Sequence, residues 1–396
     1  MPAARTSSSP RATPSSDVRW GALDGLRGVA AIGVVLVHVW MFVRGDTPAP
    51  RGTLDDVISQ LRLGMPMFFV LSGFLIFRPF AAALIDGRPL PQLGRYALRR
   101  GARVLPAYWL AIAATALLLL HLDHPMAVAT SELPRYFAFL QNYSEATAGR
   151  LNPPSWTIAV EASFYVAVPV LGLLAARLVR RCSTPGGRRA VLAAACVALA
   201  VAGSAWLGWA TLTGAGKTWS DTLPGRMGSF GAGMAVAVLV HGRRLSPRGA
   251  GALALAGVAL VVAEAVVHGA MLGPRELRQA TLDSVASTGF GLLIAAIALG
   301  RVHGTGILAR GPLQWTGTVS YGLYLAHFPV IFALRGFDRW PEQLLPAFAL
   351  TLGCSMAIAT ASWWLIEKPA IAWAHRRTPS RGRGRRPALA GAGAGD

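Results

Sequence analysis

The first apolar segment of this chain carries two side chains that lipid disfavours. Arg27 falls in Leu23-Asp24-Gly25-Leu26-Arg27-Gly28, and His38 follows eleven positions later in a run that is otherwise apolar. On a helix, eleven residues make about three turns, so both side chains share one face about 16 Å apart. A charged Arg and a titratable His inside a membrane segment face a protein interior or a wet cavity and mark a functional path. A guanidinium there suits phosphate or carboxylate. An imidazole suits proton transfer near neutral pH.

Other polar groups recur at helical spacing. Arg95, Arg99 and Arg103 follow i, i+4, i+8 and form one basic stripe that continues into the third apolar segment. It reads either as a positive flank or as a clamp for phosphate groups, which the planar Arg fork fits. Glu161 lies about one turn inside the fourth segment, with Tyr165 on the same face. It is expected either to pair with an Arg or to orient a catalytic His or contact an acceptor. Ser320, Tyr324 and His327 follow i, i+4, i+7 in the ninth segment, a polar stripe that must face the bundle. Pro329 frees a backbone carbonyl beside it.

Some groups invite blander readings. Glu264 and His268 are expected to be interfacial groups reaching water. His121-Leu122-Asp123-His124 sits at a membrane boundary and does not have convincing metal-ligand spacing. Glu367-Lys368 reads as an interfacial anchor or as a partner for an inner Arg. Ser72-Gly73 permits close helix approach.

The elements that position these residues follow from composition. The 396 residues are 53% hydrophobic and 14% charged, against about 25% charged in soluble domains. Apolar runs near 20 residues, enough to cross a bilayer, occur at about ten places: 21–43, 63–85, 103–121, 155–177, 190–212, 225–241, 250–270, 280–300, 313–335 and 345–374. With the N-terminus in the cytoplasm, the inner segments collect most of the 38 Lys and Arg and few of the 18 Asp and Glu, as the positive-inside rule requires. The net charge of +20 is therefore a topology signal rather than a nucleic-acid surface. The expectation is an all-α, polytopic membrane helix bundle of about ten transmembrane helices, with both termini cytoplasmic. Residues 1–19 lack an apolar signal region, and they and residues 376–396 read as disordered tails. Residues 20–375 form the membrane domain. The three cysteines suggest neither a disulfide framework nor a metal site.

Taken together, these motifs resemble the acyltransferase-3 family of bacterial integral-membrane O-acyltransferases. The resemblance rests on Leu23 to Gly28 with His38, Phe68-Phe69-Val70-Leu71-Ser72-Gly73-Phe74, Arg99 to Tyr108, Ser155-Trp156 with Glu161 and Tyr165, Ser320-Tyr321 with Tyr324 and His327, and Glu367-Lys368-Pro369. It implies transfer of an acyl group, usually acetyl, from cytoplasmic acyl-CoA to a hydroxyl of a carbohydrate or related acceptor. Envelope polysaccharide, lipid-linked sugar and a macrolide-type antibiotic are the acceptors in view. Many relatives carry an appended extracytoplasmic domain; none is read here, so acceptor recognition is expected to fall to the bundle and its loops. Arg27, Arg99 and Arg103 are then expected to hold CoA phosphates. His38 acts as general base or is transiently acylated. Glu161 or Tyr324 orients the imidazole or stabilises an oxyanion, and His327 stands behind His38 or on the acceptor side. No metal is expected. The competing function is a transporter or exporter of a glycan or lipid-linked intermediate, which intramembrane Arg, Glu and His also suit.

Overall fold

A computed structural model describes residues 16–45, 52–270, 275–300 and 302–378. The expected tails lie outside these residues up to position 15 and from position 379. Regular structure among the described residues is entirely helical. In chain order the helices are α1 (Ser16–Arg44), α2 (Thr53–Ser59), α3 (Gly64–Asp86), α4 (Leu93–His121), α5 (Leu133–Phe137), α6 (Ser155–Val179) and α7 (Pro185–Leu212). There follow α8 (Lys217–Ser220), α9 (Leu223–Val240), α10 (Pro247–Ala270), α11 (Arg275–Leu299), α12 (Gly311–Gly336), α13 (Leu344–Ser362) and α14 (Lys368–Arg377). A π-helical turn, Trp363–Glu367, joins the last two.

Among the described residues, nine helical segments are long and apolar enough to cross a membrane. They coincide with nine of the ten expected spans, and the chain is a multi-pass membrane protein. The remaining expected span, 280–300, falls on α11, which is apolar over Asp283–Leu299 among the described residues. The start of α11 is polar in sequence, with Arg275, Glu276 and Arg278. Leu117, Leu120, Leu255, Leu345 and Leu365 are exposed on the outside of the bundle, as a lipid-facing surface requires.

Two helices form the centre. Most of the apolar window of α3 (67%) and of α12 (72%) is buried, against 17% for α10 at the periphery. Small residues let these central helices approach their neighbours. A Cβ on Gly73 of α3 would lie 2.3 Å from the Phe230 carbonyl of α9, and one on Gly233 of α9 1.9 Å from the Val70 carbonyl of α3. The expected role of Ser72-Gly73 in close packing is thus met. The same device joins α1 to α12, where a Cβ on Gly317 would lie 1.8 Å from the Asp24 carbonyl. This contact fixes the helix that carries Arg27 and His38 against the helix that carries Tyr324 and His327.

Candidate active site

Side chains of α1, α3, α4, α6 and α12 enclose a cavity with about 860 Å³ of open space, part of it continuous with solvent. Arg27 enters from α1, Arg100 and Arg103 from α4, Glu161 and Tyr165 from α6, and Ser320 and Tyr324 from α12. Arg27, Arg100 and Arg103 form no ion pair with a described carboxylate. Arg100 lies over the Tyr165 ring, 5.6 Å from its centre. Glu161 is held by hydroxyls instead: Ser72 Oγ and Tyr165 Oη each donate to its Oε1 at 2.7 Å. Three guanidiniums and one carboxylate line the cavity, and Asp24 and Glu367 lie near enough to Arg27 and Arg103 to interact with them. The cavity's size and guanidiniums suit a polyanionic small molecule.

Arg99 is turned away from this cavity. Its Nε and Nη2 donate to Thr378 Oγ1 and to the Thr378 carbonyl at 2.9 and 2.7 Å, which secures the end of α14. The i, i+3 pair Arg100 and Arg103 faces the cavity, rather than the i, i+4 pair of the expected stripe.

A second pocket, with about 560 Å³ of open space, lies toward the C-terminal half of α1. His38, Trp156, Lys217 and Asp221 line it together with Asn142, Gly149, Pro153 and Pro154 of the 122–154 segment. That segment is pinned by buried polar groups. Tyr136 Oη donates to the Thr147 carbonyl at 2.7 Å, and Asn142 Nδ2 donates to the Trp156 and Asp221 carbonyls at 2.9 and 2.6 Å. Gly149 has φ of +72°, a conformation that glycine adopts without strain.

His38 is held from behind by His327. The His327 Nε2 and His38 Nδ1 are 3.1 Å apart, and the rings stack with centres 5.1 Å apart. His327 is wholly buried, and its ring lies beside the carbonyls of Leu323 and Tyr324. His327 Nδ1 makes no well-aligned hydrogen bond among the described residues; in the tautomer with the proton on Nδ1, the ring offers Nε2 as an acceptor. His38 then donates from Nδ1 and keeps a lone pair on Nε2, the state a general base needs. The helix is completed locally: Pro329 has no N–H for the Leu325 carbonyl, and Asn152 Nδ2 donates to it at 3.0 Å.

Met65 and Tyr324 line both cavities. The Tyr324 and Thr157 hydroxyl oxygens are 3.0 Å apart. The Tyr324 ring packs on Phe68 and His327, with ring centres 6.2 and 5.6 Å away.

Other candidate groups lie elsewhere. Glu264 and His268 do not reach water as expected. They are buried, and Arg62 Nη2 approaches Glu264 Oε1 at 2.5 Å and His268 Nδ1 at 2.7 Å. Arg62 Nη1 also reaches Asp283 at 3.2 Å, and Arg226 links Asp283 to Asp221 at 3.3 and 2.6 Å. Glu367 is buried against Gly322 and accepts from Ser362 Oγ at 3.2 Å, not from an Arg. His124 accepts from the Met126 N–H at 3.1 Å. Burial and the nearby Arg335 hold it below the usual His range.

Of the expected residues, Arg27, Arg103, Glu161 and Tyr324 share one cavity, and His38 and Tyr324 share the other. His327 adjoins the second through His38. Arg100, Met65 and Lys217 were not expected. The i, i+3 spacing of Arg100 and Arg103 could have pointed to the first; nothing in the sequence distinguishes Met65 or Lys217.

With this geometry in place, comparison with known proteins gives the family. The chain belongs to the acyltransferase-3 family: the family's model, an acyltransferase domain, matches residues 20–366. One relative is the peptidoglycan O-acetyltransferase OatA of Listeria monocytogenes. It is 24% identical over 370 residues, covering 88% of this chain and 55% of the relative. This chain thus spans about half the length of that relative. Another, named "Putative membrane-bound transacylase BcsY", from Komagataeibacter xylinus, is 26% identical over 381 residues, covering 93% of this chain and 86% of the relative. No solved structure matches the chain. Family membership favours the acyltransferase over the exporter.

Proposed function

We propose that this protein moves an acetyl group from cytoplasmic acetyl-CoA to a hydroxyl of a carbohydrate. The observation that carries the reading is the pair of cavities that meet at Met65 and Tyr324. One holds three guanidiniums that make no salt bridge with a described carboxylate, and the other holds His38. Both termini are cytoplasmic, in accord with the charge asymmetry. The Arg27 cavity then faces the cytoplasm and receives the donor, and the His38 pocket faces outward and receives the acceptor. The membrane is the bacterial cytoplasmic membrane, in keeping with the bacterial relatives. The name of the Listeria relative favours a polysaccharide acceptor. The lipid-linked sugar and the macrolide-type antibiotic have no such support.

Arg27, Arg100 and Arg103 hold the CoA phosphates, and Arg99 contributes through α14 rather than through the donor. The thioester carbonyl sits at the partition between the cavities. His38 Nε2 takes the proton of the acceptor hydroxyl as its oxygen attacks that carbonyl. The Tyr324 hydroxyl donates to the developing oxyanion. Collapse breaks the carbon–sulfur bond, and the CoA thiolate takes the proton from the His38 imidazolium. Free CoA and an O-acetyl ester result. Glu161, held by Ser72 and Tyr165, fixes the wall beside the guanidiniums. The enclosed bundle limits hydrolysis of the thioester by water.

The test is acetyl-CoA binding and consumption by the purified protein in nanodiscs, with a peptidoglycan-derived oligosaccharide as acceptor. Arg27→Ala is expected to weaken donor binding. His38→Ala is expected to bind donor and fail to turn over. Near-normal turnover by His38→Ala sinks its role as base. A folded wild type without CoA affinity sinks the donor site.

A further inference from the structure

We infer that Met65 sets the length of the acyl group this enzyme accepts and restricts it to short chains. The inference rests on the donor and acceptor assignment just given, and it adds a specificity-determining residue to that site. Met65 and Tyr324 are the two side chains that line both cavities, so they form the wall between them. An acyl carbonyl must come to this wall to be within reach of an acceptor beside His38. Any further carbons of the acyl chain must then pass Met65 into the second pocket or fold back into the first.

Both routes oppose a long chain. The second pocket presents Asn142, Lys217 and Asp221, polar groups that an alkyl tail would desolvate. The acceptor needs that same space. The first cavity also has apolar lining in Phe69, Leu71, Leu75 and Ile76, but the donor occupies it, and beside the wall stand Phe68 and Tyr324, with Tyr324 fixed by Thr157, Phe68 and His327. Tyr324 is thus the rigid half of the wall. Met65 is the adjustable half, because an unbranched thioether fills irregular gaps and is held by no polar partner. It is half-buried, so shortening it opens space without removing a core anchor.

The experiment measures the affinity of free CoA, acetyl-CoA, butyryl-CoA and hexanoyl-CoA for wild type, Met65→Ala and Met65→Leu in nanodiscs. Free CoA reports the Arg cavity and the fold, so each acyl-CoA affinity is read relative to the same protein's CoA affinity. In wild type and Met65→Leu, affinity relative to CoA should fall from acetyl to butyryl to hexanoyl. Met65→Ala removes three heavy atoms and should raise the butyryl-to-acetyl ratio by roughly ten-fold or more, the scale of one or two methylenes in a pocket. Free CoA binding with the same acyl-length response in wild type and Met65→Ala overturns this inference and leaves the donor site standing. Absence of CoA affinity in folded wild type overturns the donor site and this inference together.

Discussion

Replacing His327 by alanine tests whether the second histidine positions the first. His327 is wholly buried, and its Nε2 lies 3.1 Å from His38 Nδ1. Its loss removes one hydrogen bond and leaves a buried imidazole nitrogen without its side-chain partner, at a cost of about 1–3 kcal/mol. His38 also loses the side-chain acceptor that, with the Val34 carbonyl, fixes its tautomer. With 1.36 kcal/mol per decade of rate, that range corresponds to about 5- to 150-fold in kcat. The donor site is a separate cavity lined by Arg27, Arg100 and Arg103, so the donor KM should stay near its wild-type value. His327→Gln offers an amide oxygen near the former Nε2 and should recover part of the lost rate. The assay is steady-state acetyl transfer by the purified variants in nanodiscs, with CoA affinity as the check on folding. Wild-type kcat in His327→Ala would refute the reasoning. So would a parallel loss of CoA affinity and kcat, which marks collapse of the bundle rather than a misplaced base.

Further substitutions separate the roles read from the structure. Arg99→Ala should leave CoA affinity unchanged while Arg103→Ala lowers it, because only Arg103 lines the donor cavity; equal losses in titration calorimetry would return Arg99 to the donor site. Arg62→Met leaves Glu264 and Asp283 without that partner and should destabilise by about 3–5 kcal/mol, seen as a lower melting temperature, with part of the loss recovered when Glu264→Gln is added. Gly317→Ala drives a methyl to within 1.8 Å of the Asp24 carbonyl, and the resulting overpacking should cost at least about 1–3 kcal/mol. Gly353→Ala, with nothing within 4 Å of the added atom, should melt like wild type.

The sequence made the bundle legible because lipid imposes one rule on every residue. A run of apolar residues must be helical to satisfy its backbone, so spans are read directly from hydropathy. The expected span at 280–300 likewise falls on a helix, α11. Polar residues inside spans were legible for the same reason: a costly group must face the interior. That argument found Arg27, His38, Glu161, Tyr324 and His327. It could not say which of them meet. Glu161 was a candidate partner for His38, yet Ser72 and Tyr165 hold it in the other cavity. Pairing depends on how α1, α3, α6 and α12 are rotated about their axes, and glycine contacts such as Gly317 against Asp24 fix that rotation.

The same limit explains Arg99 and Arg100. Both lie on one face of α4 to within about a third of a turn, and sequence spacing favours Arg99 with Arg103. The C-terminal end of α14, far along the chain, instead offers Thr378 to Arg99. Glu264 and His268 show the converse error. Their place near the end of α10 suggested water, but Arg62 from a distant segment reaches them inside the bundle. A helix face tells where a charge must not point. Which partner it finds is decided by residues hundreds of positions away, and there the packing of small residues carries the information that the polar pattern lacks.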